Sequence, residues 1–588
     1  MRGKASPCSH SHRRLAFLAP GLSNCISHAP SQGPSQRMRP WRACSARSSA
    51  IGAGLTLPSK PKLPTLAPHK SHICDLTIPL SREEQRLFAL LLTVAEEDKT
   101  TLRVAGGWVR DKLLKAERGD EEEIPAHKLD IDIALDNCLG REFAERVNGH
   151  LLRSGREIHG VGIMGQNPEK SKHLETATMQ LGGFWIDFVN LRTESYSLDS
   201  RIPNMGIGTP EEDAYRRDLT INSLFYNINS GKIEDFTGRG AKDLAERVVC
   251  TPLAPAETLL DDPLRVLRAI RFAGRFGFTM SPGLLEACRD PLIHQALALK
   301  ISRERVGQEV ELMIRSHEPL RAFKLIADLH LAPEVFPLPP DVEGVDSSQL
   351  FHQGLEYLSI FLKILNKLDP GPGDLVGLNP DRDLANEERR LALYASLLLP
   401  YSTVMYQGRK SRRKATTRFI MKKMLMMRAK DVDQVEQMQS TSREFRSLLD
   451  RVDMDLSRVS RSELGLLVRK GGKLWQLAFL LALTQALASS TGARASRLAG
   501  SGESQSSEVT QGYLAAGRAI VQAGLHDAWD MKPLFDGKEV AVLLPHVPKG
   551  PLYSQVMQAQ IVWQMDHPGE GPEWEEQARV NLRALFPL

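Results

Sequence analysis

The sequence predicts an α+β fold, a mixed-sheet head followed by all-α neck, body and tail. Three observations carry this. Short strand-like runs interleave with helical stretches up to about residue 255. Helical periodicity then dominates from Asp261 to the end. The first 74 residues resemble neither part. A chain of 588 residues is too long for one hydrophobic core, so several domains are expected.

Residues 1–74 contain no Asp or Glu; the first acid is Asp75. They are rich in Arg, Ser, His and Pro, and Arg13 and Arg14 precede a short apolar run broken by Pro20. That composition fits a disordered organelle transit peptide directed to the mitochondrion, the plastid or both. A tail without an address is the alternative. Translation from Met38 would give a second form, for the cytosol or nucleus. The remaining boundaries are a head at 75–255, a helical neck at 256–330, and a body and tail at 331–588 with a flexible Ser/Gly/Ala-rich insertion at 489–507.

Within the head, residues 81–95 carry a helical apolar stripe through Leu87, Leu90 and Leu91. Residues 102–105 read as a strand ending at Gly106 and Gly107, and residues 108–116 as a helix. Residues 129–135 and 184–191 are strand-like, and 224–228 with 232–235 form a hairpin about Asn229, Ser230 and Gly231.

The run from Leu129 to Ile133 alternates, so Asp130 and Asp132 project from one face while Ile131 and Ile133 turn to a core. Two adjacent carboxylates repel and call for a cation. Two Mg²⁺ ions held there could bind the attacking and leaving oxygens of a phosphoryl transfer. Alone, the pattern also fits solvated acids on an exposed edge strand. The preceding Gly106 and Gly107 shift the reading. Glycines between strand and helix allow close backbone approach, and the helix start offers N–H groups to phosphate, with Arg110 nearby. Asp187, in the apolar run from Phe184 to Val189, is a third catalytic acid or a salt-bridged structural one.

Arg216, Arg217 and Asp218 suit phosphate and ribose contacts, or a helix-capping cluster. Asp262 reads as an N-cap and Pro263 as the first helical residue, with Arg268, Arg271 and Arg275 in a stripe beside Arg265. An acid and an arginine one turn apart can read a base. Cytosine and adenine donate from their amine to Asp262 and accept on the ring nitrogen from Arg265, whereas uracil and guanine leave both unpaired.

The segments GGWVRD, DIDIALD, NPEKSKHLETA, IDFVNLRTE, EDAYRRDLTINSLFYNI and DDPLRVLRAIRFAGRFGF resemble those of eukaryotic-type class II CCA-adding tRNA nucleotidyltransferases, within the poly(A) polymerase superfamily. KISRERVGQE resembles the motif closing that family's neck. The resemblance implies addition of C, C and A to the 3′ end of tRNA from CTP and ATP, with Mg²⁺. It assigns the triphosphate to Gly107 and Arg110, metals to Asp130 and Asp132, phosphate and ribose to Arg216, Arg217 and Asp218, and base selection to Asp262 and Arg265 with Arg268 nearby. Glu304, Arg305 and Glu309 would brace the neck, and residues 155–178 match a flexible loop. Residues 117–123 depart from the family pattern as an enlarged acidic loop. A poly(A) polymerase, an enzyme adding only C or only A, and a non-catalytic RNA-binding relative are the alternatives. For the tRNA acceptor arm, the basic run Arg409, Lys410, Arg412, Arg413 and Lys414, followed by Lys422, Lys423 and Arg428, offers phosphate contacts or is a solvated loop.

Overall fold

The computed structural model describes residues 72–74, 76–119, 130–164, 176–195, 204–368, 386–408, 412–492 and 502–587. The head is built on an eight-stranded mixed sheet. Its strands are β1 (His72–Cys74), β2 (Leu102–Ala105), β3 (Asp130–Leu135), β4 (Val161–Met164), β5 (Thr176–Leu181) and β6 (Phe184–Asn190), with the later β9 (Phe225–Asn227) and β10 (Lys232–Asp235). Between these come the separate pair β7 (Arg192–Ser195) and β8 (Asn204–Ile207). The spatial order is β1-β10-β9-β2-β3-β6-β5-β4. Most neighbours are antiparallel; β3 and β6 run parallel.

Helix α1 (Arg82–Glu97) starts where Ser81 and Glu84 form a reciprocal capping box. Its apolar stripe buries Leu87, Phe88 and Leu91. Helix α2 (Gly107–Arg118) follows the glycine turn, and α3 (Gly140–Arg153) covers the sheet face formed by Ile186 and Phe188. Gly140 lies so close that a Cβ there would fall 2.3 Å from the Phe188 carbonyl oxygen.

Short helices α4 (Pro210–Tyr215) and α5 (Gly240–Ala245) complete the head. The neck comprises α6 (Pro255–Asp261), α7 (Leu264–Phe276), α8 (Pro282–Cys288), α9 (Pro291–Lys300) and α10 (Arg303–Ile314). Beyond it, long helices such as Ser347–Leu368, Ala429–Arg451 and Trp475–Gly492 form the body. Their apolar side chains are continuous with the head and neck core, whereas Phe535, Val540, Val556, Trp563 and Leu582 form a separate tail core.

Several expectations need correction. The chain enters the sheet at His72, three residues inside the segment assigned to the transit peptide, because β1 pairs antiparallel with β10. Residues 1–71 lie outside the described residues. The stretch 155–178 is not a loop throughout: Val161–Met164 pairs with β5, while 165–175 lie outside the described residues. The insertion at 489–507 is helical at both ends, within Trp475–Gly492 and Gly502–Gln522, and 493–501 lie outside. Of the acidic stretch at 117–123, residues 117–118 finish α2 and 120–123 lie outside. Small strands also punctuate the helical region, as Val248–Val249 pairs with Thr279–Met280 and Met405–Gln407 with Arg413–Ala415. Among the described residues no helix is long and apolar enough to cross a membrane.

Candidate active site

Strand alternation decides which acids meet. Ile131, Ile133, Ile186 and Phe188 are fully buried on one face of β3 and β6. The opposite face carries Asp132, which is exposed, and the half-buried Asp187. The two are register partners on the parallel strands, so their side chains rise side by side. Thr178 on β5 donates its hydroxyl to Asp187 at 2.6 Å and fixes that carboxylate. Asp130 opens β3 in register with Trp185, and its side chain lies outside the described residues. Beyond the acids, Ala105, Ala134, Leu191, Ala214 and Phe225 pack into a small apolar wall on the same face. The acids are therefore displayed between that wall and the strand starts.

The glycine turn lies one strand away. Gly106 sits at φ +70°, a conformation L residues rarely adopt, and its N–H donates to Leu224 at 2.9 Å. A Cβ there would fall 2.8 Å from Nη1 of Arg217. Gly107 begins α2, whose start has no side-chain cap, leaving backbone N–H groups for an anion. Arg110 differs from expectation. It is only 4% exposed, hydrogen-bonded to Asn222, paired with Asp111 at 2.7 Å, and packed over the rings of Phe272 and Phe276. Burial pulls its pKa below the usual guanidinium value, against the charge of Asp111. It ties α2 to the neck.

The arginine pair depends on a residue the sequence reading missed. Asp213 is 2% exposed and accepts from both Arg216, at 2.8 Å from Nε, and Arg217, at 2.7 Å from Nη2. Burial would raise the Asp213 pKa, yet the two guanidinium groups hold it below the ordinary carboxylate value. The helical i, i+3, i+4 spacing was the available signal. Asp213 thus sets both forks, and Arg217 also donates to the Asn222 carbonyl at 3.1 Å. Asp218 is buried, bonded to Asn222 at 3.0 Å and to Arg268 at 2.7 Å.

The α7 residues come together differently from the simplest reading. Pro263 takes the cap position and Leu264 is the first helical residue; the Asp262 carboxylate still accepts from the Leu264 N–H at 3.2 Å. Asp262 does not pair with Arg265. Its partner is Arg305 on α10, at 2.7 and 3.4 Å, a two-armed contact. Arg265 instead donates to the carbonyls of Thr258, at 3.3 Å, and Arg216, at 2.6 Å, anchoring the neck to the head arginine pair. Arg271 is nearly buried and donates from Nε to Glu309 at 2.6 Å, so it braces α7 on α10. Arg275 reaches Asp111 at 3.6 Å. The stripe expected to be a basic surface is thus a seam of ion pairs. Glu304 is exposed in the first turn of α10.

Within the basic run, Arg413 and Lys414 lie in a short strand paired with Met405–Gln407. Arg412 and Arg413 are exposed and Lys414 half-buried; Arg409 and Lys410 lie outside the described residues. Lys422 and Lys423 are exposed on the π-helical turn Ile420–Met424.

Paired acids on a mixed sheet, one strand from a helix start that Arg217 abuts, suit a nucleotidyltransferase head, and residues 102–250 match the poly A polymerase head domain. The mitochondrial CCA tRNA nucleotidyltransferase of Saccharomyces cerevisiae is 34% identical over 513 residues, covering 83% of this chain and 88% of that one. The tRNA nucleotidyltransferase cca2 of Schizosaccharomyces pombe is 34% identical over 515 residues, covering 84% and 96%. The fold matches that of the Thermotoga maritima CCA-adding enzyme complexed with tRNA, at TM-score 0.54 and 18% identity over 86% of this chain and 96% of that chain. The chain belongs to the CCA tRNA nucleotidyltransferase family.

Proposed function

We propose that this protein is a template-independent nucleotidyltransferase that adds C, C and A to tRNA 3′ ends from CTP and ATP. The observation that carries the reading is the register pairing of Asp132 with Asp187, one strand from the Gly106 turn. In this reading the N–H groups opening α2 and the forks of Arg216 and Arg217 hold the triphosphate, with Asp213 fixing both arginines. Asp262, braced by Arg305, presents a carboxylate to the exocyclic amine of cytosine or adenine, and Arg265 supplies the donor. Since Arg265 rests on the Arg216 carbonyl, base selection and phosphate binding share one scaffold.

Among the described residues no three His, Cys, Asp or Glu side chains form a closed cage for a metal. An open face bearing Asp132 and Asp187, with Asp130 two residues away, gives all-oxygen donors and leaves room for phosphate. That fits Mg²⁺ better than a transition metal. Bound there, the ion would offset charge on the transferring phosphate. The acid-free first 74 residues, together with the mitochondrial relative, support delivery to the mitochondrion. Import assays with separate organelles test delivery to the plastid and a cytosolic or nuclear form from Met38.

The test is incubation of the full chain with Mg²⁺, each nucleotide alone and mixed, and tRNA lacking CCA, followed by 3′-end sequencing. Addition of C, C and A that Asp132→Ala abolishes is expected. A long A tract would reassign the chain to poly(A) synthesis, and arrest after CC or growth only from CC would make it a partial enzyme. Binding of tRNA with no incorporation would refute the enzymatic reading.

A further inference from the structure

Among the acids of the β3–β6 face stands one large aromatic side chain. Trp185, the second residue of β6, is 47% exposed between the buried Phe184 and Ile186. Alternation places it on the face of Asp187, two residues along, and the register sets it beside Asp130. Its partner on β5 is Gln180, which is also exposed. An exposed tryptophan on a polar sheet face gains nothing from core packing and leaves a wide apolar surface in water. Its burial therefore awaits a flat partner.

The sheet order says which partner. The Gly106 turn follows β2, and Arg217 contacts that turn; both lie on one side of β3. Trp185 is on β6, the other side of β3. A nucleotidyl transfer is in line, so the attacking hydroxyl enters opposite the departing pyrophosphate. With the triphosphate on the β2 side, the acceptor strand must arrive from the β6 side. Neighbouring strands are about 4.8 Å apart, and residues i and i+2 about 6.7 Å. Trp185 is thus within one nucleotide of the acids. Single-stranded RNA ends are commonly held by stacking of unpaired bases on aromatic rings.

We infer that Trp185 is the stacking platform for the terminal base of the tRNA acceptor strand, positioning its 3′-hydroxyl toward Asp132 and Asp187. This rests on the proposed function for its substrate, and on the sheet geometry for its side and role.

The experiment compares Trp185→Ala and Trp185→Phe with the unaltered full chain. It uses tRNA ending in CC and the same tRNA with an abasic terminal ribose. Steady-state incorporation gives KM for tRNA and for ATP; fluorescence anisotropy gives tRNA affinity without turnover. Trp185→Ala should raise KM and Kd for tRNA about 5- to 100-fold, the range of one lost stacked base. KM for ATP should stay within about twofold, and Trp185→Phe should recover most of the loss because a ring remains. On the abasic end the unaltered chain and Trp185→Ala should bind alike. An unchanged tRNA affinity in Trp185→Ala overturns the platform, as does an equal penalty on both RNA ends or a defect confined to ATP. If the unaltered chain incorporates nothing, the proposed function fails, while anisotropy still decides whether Trp185 holds the RNA end.

Discussion

Asp218 and Arg268 meet in a 2.7 Å ion pair that joins the head to α7 of the neck. Burial alone would raise the Asp218 pKa, but the charge of Arg268 and the hydrogen bond from Asn222 hold it below the ordinary value. A carboxyl whose folded pKa is depressed adds stability above its unfolded value, and that contribution fades as pH falls through the folded one. Arg268→Met leaves the carboxylate buried without its cation. The cost at pH 7 should be about 2 kcal/mol, below the loss of a fully buried pair because a third of Arg268 is exposed. Thermal unfolding from pH 7 to pH 4 should show the deficit shrinking as Asp218 takes up a proton. Asp213 titrates in both proteins and cancels. A deficit constant with pH would refute this account.

Gly106→Ala should cost about 1–3 kcal/mol, since alanine is strained at φ +70°. The added methyl also reaches the Arg217 fork. KM for the nucleotide should therefore rise along with the stability loss. If alanine lowers the melting temperature but leaves nucleotide KM unchanged, the turn does not set Arg217.

Base choice should depend on Arg305 as well as on Asp262. Removing the two-armed contact in Arg305→Ala frees the Asp262 carboxylate from its position. Misincorporation of UMP and GMP should then rise about 10-fold or more relative to CMP and AMP. Arg305→Lys keeps the charge without the fork and should fall between. Single-nucleotide incorporation ratios measure this, and unaltered ratios in Arg305→Ala would count against it.

Arg412 and Arg413 are both exposed, which suits the proposal that they contact tRNA phosphates. Replacing both with alanine should flatten the dependence of log Kd for tRNA on log salt by about one unit per lost contact. An unchanged slope would return them to solvent.

Much of this was legible beforehand because local rules and tertiary needs agree. The strand at Leu102–Ala105 and the run of alternating isoleucines and acids have their predicted bounds to within a residue. The partners were harder to foresee. Nothing in the spacing of Asp262 and Arg265 says that the acid will take Arg305, which is 43 residues away, while Arg265 takes backbone carbonyls. Likewise Arg110 reads as a free cation until Phe272 and Phe276 close over it. The strands β4 and β5 went unread because the first is only four residues long with a glycine inside it, and the second mixes threonine and glutamine with its apolar residues. Their identity as strands comes from pairing rather than propensity.

The three residues of β1 also limit how far the N-terminus can be shortened. They cover the outer edge of β10, which would otherwise present unpaired backbone groups along its length. A shortening of the acid-free N-terminal stretch that keeps this pairing must stop before His72. A protease that trimmed to Asp75 or beyond would produce a catalytic head with an open, adhesive edge. The sheet itself therefore sets how far the N-terminus can be shortened, and preparations that begin too late should self-associate before they lose any residue of the active site.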